Sequence, residues 1–390
     1  MLSAALSIFL AGVLLAWLRF AWALRRISAF PNLARTTGDA PPSGWPTLSV
    51  VVACRNEERG VQAALTSMLA QDVPGLQVVA IDDRSEDGTG AILDALAAED
   101  PRLHVLHVEH LPSGWLGKTH ALHRGAEAAG GEFLLFTDAD VVFAPGALRR
   151  ALAWVVTERL GHAVALPHFV APGFLERGFV SLFAMFVLLQ LRIAKMRGSD
   201  GDIGVGAFNL VRRRDYEAAG GHTRLRLEVV DDIGLGVVMR EAGAVQGIAD
   251  SGGTVRVRCQ RGFLASMRGL VKNLFAGCEY SWRSVLRPVV LVPLATALPA
   301  VLVFTAPDAG VRVLAAAALL VPATMLGATA RRLAGGNGAE GLLLPFAGLC
   351  MSAVALTSAL VTTARGAVIW RGTRYPLDEL RANSVRARRA

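Results

Sequence analysis

The sequence predicts an α/β domain joined to transmembrane helices, and three observations lead to this fold class. Short apolar runs alternate with amphipathic stretches over residues 45–283, which is the pattern of a doubly wound, mostly parallel sheet. Hydrophobic residues make up 53% of the 390 residues and charged residues 18%, against about 25% charged residues in average soluble proteins. Uncharged stretches that are long enough, or nearly so, to cross a bilayer lie at 2–18, 288–307, 313–330 and 341–364.

The first apolar stretch is predicted to be a retained transmembrane anchor at residues 1–24. It has no basic start and no convincing small-residue cleavage site, which disfavours a signal peptide. Four arginines follow it, at Arg19, Arg25, Arg26 and Arg35. By the positive-inside rule they place the N-terminus outside and the catalytic domain in the cytoplasm. The predicted localisation is therefore the cell (inner) membrane, with a multi-pass chain.

The C-terminal membrane segments, residues 285–364, conflict with the basic tail at 365–390. Three full crossings would leave this tail outside, yet it carries seven arginines, which the positive-inside rule keeps inside. We therefore expect an even number of crossings after residue 284, with one apolar run re-entrant or interfacial. Broken helices are expected at Pro288, Pro293, Pro299 and Pro345. A shorter apolar helix near 174–194 is expected to lie at the interface.

Charge and cysteine content exclude several classes of function. The net charge is +8, but many basic residues lie beside apolar runs and in the tail, which suits an anionic membrane surface and not a nucleic acid. The four cysteines, Cys54, Cys259, Cys278 and Cys350, have no paired spacing. Neither a zinc site nor a disulfide framework is predicted.

Acidic residues gather after the predicted strands of the sheet. The runs 48–53, 77–81, 103–108 and 133–136 are predicted to be buried strands, and ligands of such sheets bind beyond the carboxyl ends of the strands. Carboxylates follow the first, second and fourth of these runs. Turns and helix caps explain any one cluster. Three in succession are harder to explain in that way, because close carboxylates repel one another unless a cation offsets them.

The pair Asp138 and Asp140 is the sharpest of these signals. In an extended segment residues i and i+2 project to the same side, so both carboxylates can reach one centre. A hard divalent metal, Mg²⁺ or Mn²⁺, prefers such oxygen ligands, and the diphosphate of a nucleotide would complete its coordination shell. As a Lewis acid the ion would stabilise a departing nucleoside diphosphate.

Together, the polar strings resemble a known family far more specifically than any one string does. The chain is similar to the inverting glycosyltransferases of family 2 over roughly residues 45–245, through VVACRNEE at 51–58, IDDRSEDGT at 81–89, FTDAD at 136–140 and VDD at 230–232. Further strings resemble the membrane-bound branch that acts on carotenoid or hopanoid-type lipids. They are GWLGKTHA at 114–121, GVGAF at 204–208, GGH at 220–222 and WRGTRY at 370–375.

The resemblance implies a GT-A fold, a Rossmann-like domain with a mostly parallel sheet, and a nucleotide-sugar donor. It implies that Arg55, Glu57 and Asp83 lie near the nucleoside and that Asp138 and Asp140 hold the metal. Asp83 at a strand end is suited to accept the imide N–H of uracil, which favours a UDP-linked donor. Lys118 is suited to place its charge on a phosphate or sugar, or is a solvated surface lysine. Trp115 either stacks on a ring or anchors its own loop.

The pair Asp231 and Asp232 provides the candidates for the catalytic base. Inversion requires a carboxylate that takes the proton of the acceptor hydroxyl as this hydroxyl attacks the anomeric carbon. The family pattern places the base second in an acidic pair, which selects Asp232 and leaves Asp231 open. One of the two also fits the acidic first turn of a helix that runs toward Gly243.

The predicted function is a membrane glycosyltransferase that moves a single sugar from a nucleotide sugar to a lipid acceptor. Processive members of the family carry Gln-x-x-Arg-Trp after the base, and this chain has only the partial match QRGF at 260–263. A processive polysaccharide synthase is therefore disfavoured. The other alternative is a catalytically inactive protein that binds nucleotide sugars, and the presence of every acidic position argues against it.

Overall fold

The computed structural model of the chain describes residues 1–25, 30–39, 41, 44–190, 202–258 and 260–386. Two compact units are present. The sheet unit comprises Phe30–His168, Lys195–Arg258 and Glu379–Ala390, and the helical unit comprises Met1–Ala29, Phe169–Ala194 and Cys259–Asp378. Each unit is assembled from three separate segments of the chain. After Phe30 the chain therefore leaves the sheet unit twice and returns to it twice.

The strands are Leu48–Cys54 (β1), Leu76–Asp83 (β2), Leu103–Val108 (β3), Phe133–Asp138 (β4), Val141–Phe143 (β5), His162–Leu166 (β6), His168–Phe169 (β7), Asn209–Arg212 (β8), Gln246–Asp250 (β9), Val255–Val257 (β10), Ala367–Trp370 (β11) and Thr373–Pro376 (β12). The helices are Leu2–Arg25 (α1), Val61–Leu69 (α2), Thr89–Glu99 (α3), Gly117–Ala128 (α4), Ala147–Thr157 (α5), Phe174–Gln190 (α6), Arg213–Ala218 (α7), Asp231–Glu241 (α8), Phe263–Gly277 (α9), Trp282–Thr305 (α10), Ala309–Ala334 (α11), Leu344–Arg365 (α12) and Leu377–Asn383 (α13). Short 3₁₀ helices cover Gly221–Leu225 and Ala339–Leu343.

The core of the sheet unit is a seven-stranded sheet in the order β3-β2-β1-β4-β8-β6-β9. Its pairs are parallel except that β8 is antiparallel to both β4 and β6. β1 and β2 are rich in Val, Leu and Ile and are almost entirely buried, as expected for parallel strands covered on both faces. The predicted α/β class is confirmed, and all four predicted strands are present with ends within two residues of those expected.

The strand order reverses next to β1. β2 and β3 lie on one side of β1, and β4 lies on the other. Such a reversal opens a crevice beyond the carboxyl ends of the strands, where doubly wound sheets bind their ligands. The register pairs Ala53 of β1 with Asp138 of β4. The segments that follow these two strands therefore border the crevice.

The helical unit contains helices α1, α10, α11 and α12, which are long and apolar enough to cross a membrane. The expectation of helices broken at proline is wrong. α10 continues through Pro288, Pro293 and Pro299. Each proline removes only one backbone N–H donor, and the remaining backbone hydrogen bonds of the helix are enough to maintain it. Pro345 lies in the first turn of α12. Backbone N–H groups in this turn have no acceptor within the helix, so proline there costs no hydrogen bond.

The path between α11 and α12 turns back on itself. After α11 ends, the carbonyl of Gly338 lies against Gly327 and that of Ala323 against Gly341, so the chain has returned along α11 by roughly 10–16 Å. α12 then runs antiparallel to α10, with Ser352 Oγ donating to the carbonyl of Pro288 at 3.4 Å. Because α11 also runs antiparallel to α10, α11 and α12 point in the same direction.

Two boundaries differ from the expected ones, and a third lies outside the described residues. The central segment of the sheet unit ends at Arg258 and not at residue 283, because α9 belongs to the helical unit. α6 covers Phe174–Gln190 of the expected interfacial helix, and residues 191–194 lie outside the described residues. The tail at 365–390 is divided, with the β11–β12 hairpin in the helical unit and the segment after Asp378 in the sheet unit.

Candidate active site

A half-buried cluster of opposite charges lies at the carboxyl edge of the sheet. Lys118 on α4 places its Nζ 2.8 Å from Asp138 Oδ1 and 3.3 Å from Asp231 Oδ1. Burial disfavours the ammonium, but the charges of Asp138, Asp231 and Asp232 outweigh burial and raise the pKa of Lys118 above its usual range. Lys118 is therefore a charged member of the site, and the alternative of a solvated surface lysine is wrong.

Asp231 and Asp232 begin helix α8, and the two carboxylates have different partners. Asp232 accepts two backbone hydrogen bonds, from the N–H of Gly206 at 3.0 Å and from that of Ile233 at 2.9 Å. Asp231 instead faces Lys118, and burial together with the charges of Asp232 and Asp138 raises its pKa to about 6 despite the ammonium. Backbone donors thus fix the orientation of Asp232, while Asp231 shares the charge of Lys118.

The donor set around Asp140 fits a hard divalent cation. Burial, and then the negative charges of Asp138 and Glu57, raise the pKa of Asp140 to about 7, which indicates that these carboxylates lack sufficient positive charge. A bound divalent ion would supply that charge. Within the described ranges no three His, Cys, Asp or Glu side chains form a complete ligand set. Asp138 and Asp140 would therefore hold the ion together with substrate oxygens and water.

Asp83, predicted to bind the base of the nucleotide, is already held by arginines. Arg84 binds it with two hydrogen bonds, Nε to Oδ1 at 2.8 Å and Nη2 to Oδ2 at 3.1 Å, and Arg55 Nη1 lies 3.8 Å from Oδ2. Gly117 starts α4 directly against this pair, where a Cβ atom would collide with Asp83 Oδ2. The pair thus fixes the start of the helix that carries Lys118. Arg84 is a member of the site that the sequence did not single out.

Hydrogen bonds join the loops after β1 and β2. Asn56 donates from its N–H to Ser85 Oγ at 3.1 Å and accepts from the N–H of Glu86 at 2.8 Å. The N–H of Glu57 donates to Thr89 Oγ1 at 2.8 Å. Asp87 accepts from the backbone and the hydroxyl of Thr89, so the turn explanation holds for this carboxylate. These bonds hold the Glu57 loop at the crevice.

Trp115 is an anchor and not an exposed stacking surface. Its ring is buried and stacks on His123 with centroids 5.0 Å apart, while the Arg226 guanidinium lies 5.0 Å from its centroid. The carbonyl of Arg226 also accepts hydrogen bonds from the N–H of Leu116 and from Thr119 Oγ1, both at 2.8 Å. The loop before Lys118 is thereby tied to the segment that leads to Asp231.

Two further polar residues face the small cavity that contains this charged cluster. His222 and Asn209 line it together with Lys118, Asp138, Asp231 and Asp232. His222 is 1% exposed, and its Nδ1 lies 2.8 Å from the hydroxyl of Tyr216. The GGH string contains His222 but predicts no role for it, and no sequence signal pointed to Asn209.

The comparisons with known sequences point to one family. Residues 49–220 match the family model described as Glycosyl transferase family 2. The chain is 24% identical over 249 residues to 4,4'-diaponeurosporenoate glycosyltransferase of Staphylococcus aureus (strain MRSA252), and 24% identical over 253 residues to that of strain USA300. These matches cover 63% of this chain and 65% of the relatives, so just under two thirds of the relatives' length is matched.

A solved structure with the same fold is the mannosyltransferase PcManGT from Pyrobaculum calidifontis, determined in complex with GDP-Man and Mn²⁺. The TM-score is 0.57 at 20% sequence identity, and the match covers 93% of this chain and 99% of that one. At this identity the likeness concerns the fold alone. Together with the sheet topology it identifies the sheet unit as a GT-A domain.

Proposed function

We propose, from the match of residues 49–220 to the family 2 model, that the chain is a glycosyltransferase that transfers a single sugar, with inversion, from a nucleotide sugar to a lipid acceptor. The observation that carries this proposal is the cluster of Lys118, Asp138 and Asp231 beside the backbone-held Asp232. Three carboxylates and one ammonium at the crevice of a GT-A sheet suit a donor with a cation-bound diphosphate.

The nucleotide half of the donor binds at the ends of β1 and β2. Arg55, Glu57 and Asp83 surround the nucleoside. The Asp83 oxygens retain lone pairs in addition to those that accept from Arg84, so this carboxylate can also accept the imide N–H of uracil, which suits a UDP-linked donor. Lys118 and the ion-binding carboxylates Asp138 and Asp140 face the diphosphate. The bound Mg²⁺ or Mn²⁺ would stabilise the charge of the leaving diphosphate. Lys118 bridges Asp138 and Asp231 and reduces the repulsion between their carboxylates.

Asp232 is the proposed catalytic base. It takes the proton of the acceptor hydroxyl while that oxygen forms a bond to the anomeric carbon, and the bond from this carbon to the diphosphate oxygen breaks. The products are the glycosylated acceptor, the nucleoside diphosphate and protonated Asp232. Its two backbone hydrogen bonds support this role, since they fix the carboxylate without neutralising it. Asp231 is a positioning residue that orients Lys118.

The apolar helices support a lipid acceptor. Helices α1, α10, α11 and α12 suit a membrane, and the first residues of α6, Phe174 and Leu175, are exposed, as expected of an interfacial helix at which a lipid head group is presented. The S. aureus relatives are named for 4,4'-diaponeurosporenoate. A hydrophobic molecule with a hydroxyl or carboxylate at its end is the matching class of acceptor.

The sheet unit is proposed to lie in the cytoplasm, at the inner membrane. The segment Cys259–Asp378 leaves the sheet unit and the chain then returns to it, which supports an even number of crossings. In this proposal α10 and α11 cross the membrane as a hairpin. The segment after α11 returns part of the way into the membrane, and α12 begins at that depth and runs back to the cytoplasmic side. Ala309→Cys at the start of α11 should react with a membrane-impermeant thiol reagent in intact cells, whereas Ala382→Cys should not. Labelling of the second variant from outside would mean an odd number of crossings.

The test of the function is a panel of radiolabelled nucleotide sugars incubated with membranes that contain the protein, followed by lipid extraction. One sugar should appear in a discrete glycolipid, and membranes with Asp232→Asn provide the matched control. Label retained in a high-molecular-weight polymer would establish the processive alternative. Donor binding without label in any product from the wild-type protein would mean that the chain is an inactive binding protein.

A further inference from the structure

His222 carries a polar atom that the proposed reaction does not yet use. The side chain is buried in the wall of the cavity that holds Lys118, Asp138 and Asp231. One ring nitrogen, Nδ1, is bound to Tyr216. The other, Nε2, has no hydrogen-bond partner within the described part of the chain, although the ring lines a cavity of charged and polar groups. A ring nitrogen on the wall of such a cavity is free to bind a polar group of a ligand.

The hydrogen bonds of Tyr216 decide which ring nitrogen carries the proton. The N–H of His222 donates to the Tyr216 hydroxyl oxygen at 3.1 Å, and the same oxygen lies 2.8 Å from Nδ1. The phenol hydrogen is buried and satisfied only if Nδ1 accepts it. The proton of a neutral imidazole is then on Nε2. Burial, together with the charges of His123 and Lys118, lowers the pKa of His222 to about 3, in agreement with a neutral ring.

A second relay of hydrogen bonds orients Asn209 on the same wall. Gln246 Nε2 donates to the carbonyl of Gly236 at 2.8 Å and lies 2.9 Å from His162 Nδ1. His162 Nε2 then donates to Asn209 Oδ1 at 3.0 Å. This leaves the amide N–H groups of Asn209 as donors. Two side chains locked by buried neighbours thus present N–H groups, and the wall is preorganised for oxygen atoms.

The charges of the cavity indicate which kind of oxygen is bound. Asp138, Asp231 and Asp232 outnumber Lys118, so an additional anion beside the neutral imidazole would be repelled. A hydroxyl group has no such penalty, because it accepts from an N–H and donates to a carboxylate. The sugar of the donor must lie between the ion-binding carboxylates and the base, and His222 lines that cavity.

We propose, on the basis of the transferase function above, that the Nε2–H of His222 donates a hydrogen bond to a hydroxyl of the donor sugar and selects sugars that carry this hydroxyl. Tyr216 is a positioning residue that keeps the proton on Nε2. The specificity follows because a buried donor left without a partner penalises an analogue that lacks the hydroxyl.

The test compares the sugar donor found in the panel with its monodeoxy analogues. The wild-type enzyme should use one analogue about 10-fold less well in kcat/KM than the other analogues, as expected for one lost hydrogen bond. In His222→Phe, which keeps a ring against Phe136, the rate with the parent donor should fall about 10-fold and this discrimination should disappear. His222→Gln restores an N–H donor and should regain part of the discrimination among the analogues.

The outcomes separate this specificity from the function itself. If the wild-type enzyme transfers sugar and His222→Phe retains full discrimination among the analogues, the role of His222 is refuted while the transferase stands. Absence of transfer by the wild-type enzyme would refute the function. Should His222→Phe fail to fold, Tyr216→Phe keeps the imidazole but removes the lock, and it should lower both the rate with the parent donor and the discrimination. Unchanged discrimination in Tyr216→Phe would overturn the proposal.

Discussion

Each of the two units contains a salt bridge to a buried carboxylate, Asp231 in one and Glu340 in the other, and the two bridges differ in charge balance. In the sheet unit Lys118 faces Asp138 and Asp231, so carboxylates outnumber the ammonium. In the helical unit Arg177 of α6 binds Glu340 one to one, Nε to Oε1 at 2.8 Å. Further hydrogen bonds hold that pair, since the N–H of Gly338 donates to Glu340 Oε2 and Arg177 Nη1 donates to backbone carbonyls.

The difference teaches how to distinguish a reactive cluster from a structural one. A balanced pair with satisfied oxygens has no use for a ligand, and it holds α6 to the segment before α12. An unbalanced cluster has a raised carboxylate pKa, as at Asp140, and it becomes neutral only when a cationic ligand arrives. Substitutions in the first pair should therefore affect stability, and substitutions in the second cluster should affect turnover.

The largest expected effect is that of Asp232→Asn. The amide keeps the shape of the side chain but cannot take the proton, so transfer should fall by at least about 10³-fold while donor binding stays nearly unchanged. Asp231→Asn is the matched control and should be milder. Turnover and donor binding are measured on the same membranes. If Asp231→Asn is the more damaging change, the base is Asp231, and full activity in both variants would refute the mechanism.

The next effect concerns the metal. Asp138→Ala or Asp140→Ala should lower turnover by at least about a hundredfold, on the scale of removing a main electrostatic stabiliser. A chelator should inactivate the wild-type enzyme, and added Mg²⁺ or Mn²⁺ should restore it. Folding should survive, as judged by thermal unfolding in detergent. Near-normal transfer by either variant in the presence of chelator would contradict the metal site.

The balanced pair provides the contrasting prediction. Arg177→Met leaves the fully buried Glu340 unpaired and should lower the free energy of unfolding by about 3–5 kcal/mol. The double variant Arg177→Met with Glu340→Gln removes both charges and should recover much of this loss. Thermal unfolding in detergent measures both. Equal destabilisation by the single and double variants would mean that the unpaired charge of Glu340 is not the cause of the loss of stability.

The smallest effect is expected where the tail joins the sheet unit. Ser384 Oγ and the N–H of Val385 donate to Glu228 Oε2 at 2.9 and 3.1 Å. Ser384→Ala removes one of these bonds and should cost about 1 kcal/mol of unfolding free energy. The exposed Glu379→Ala is the control and should change stability by less than about 0.5 kcal/mol. A larger loss in the control would show that the tail is held by other contacts.

Local patterns predicted much of the sheet unit. The apolar runs marked β1 to β4, and the carboxylates after them lie at the active-site edge, because strand ends and sheet edges follow from short-range sequence. The sequence allowed two interpretations of Lys118, a ligand-binding residue or a solvated surface lysine, and only its contacts with Asp138 and Asp231 distinguished them. The lock on His222 depends on Tyr216 in a separate helix, and no periodicity reveals such a contact.

Composition predicted the membrane helices but not their course. Apolar length identifies α10, α11 and α12, whereas prolines within them did not mark breaks. The return of the chain along α11 depends on close approach at Gly327 and Gly341, where a side chain would collide with backbone. Whether a glycine serves such an approach depends on packing, which the sequence of one helix does not contain.

The bond between Ser384 and Glu228 joins residues 156 positions apart, and all the C-terminal apolar helices are made between them. Val385 belongs to the same buried cluster as Leu235 and Val238 of α8, the helix that begins with the acidic pair. During synthesis this helix therefore lacks part of its packing until the ribosome has passed residue 385. The helix that carries the proposed base is therefore fully packed only after the long apolar helices α10, α11 and α12 have been synthesised.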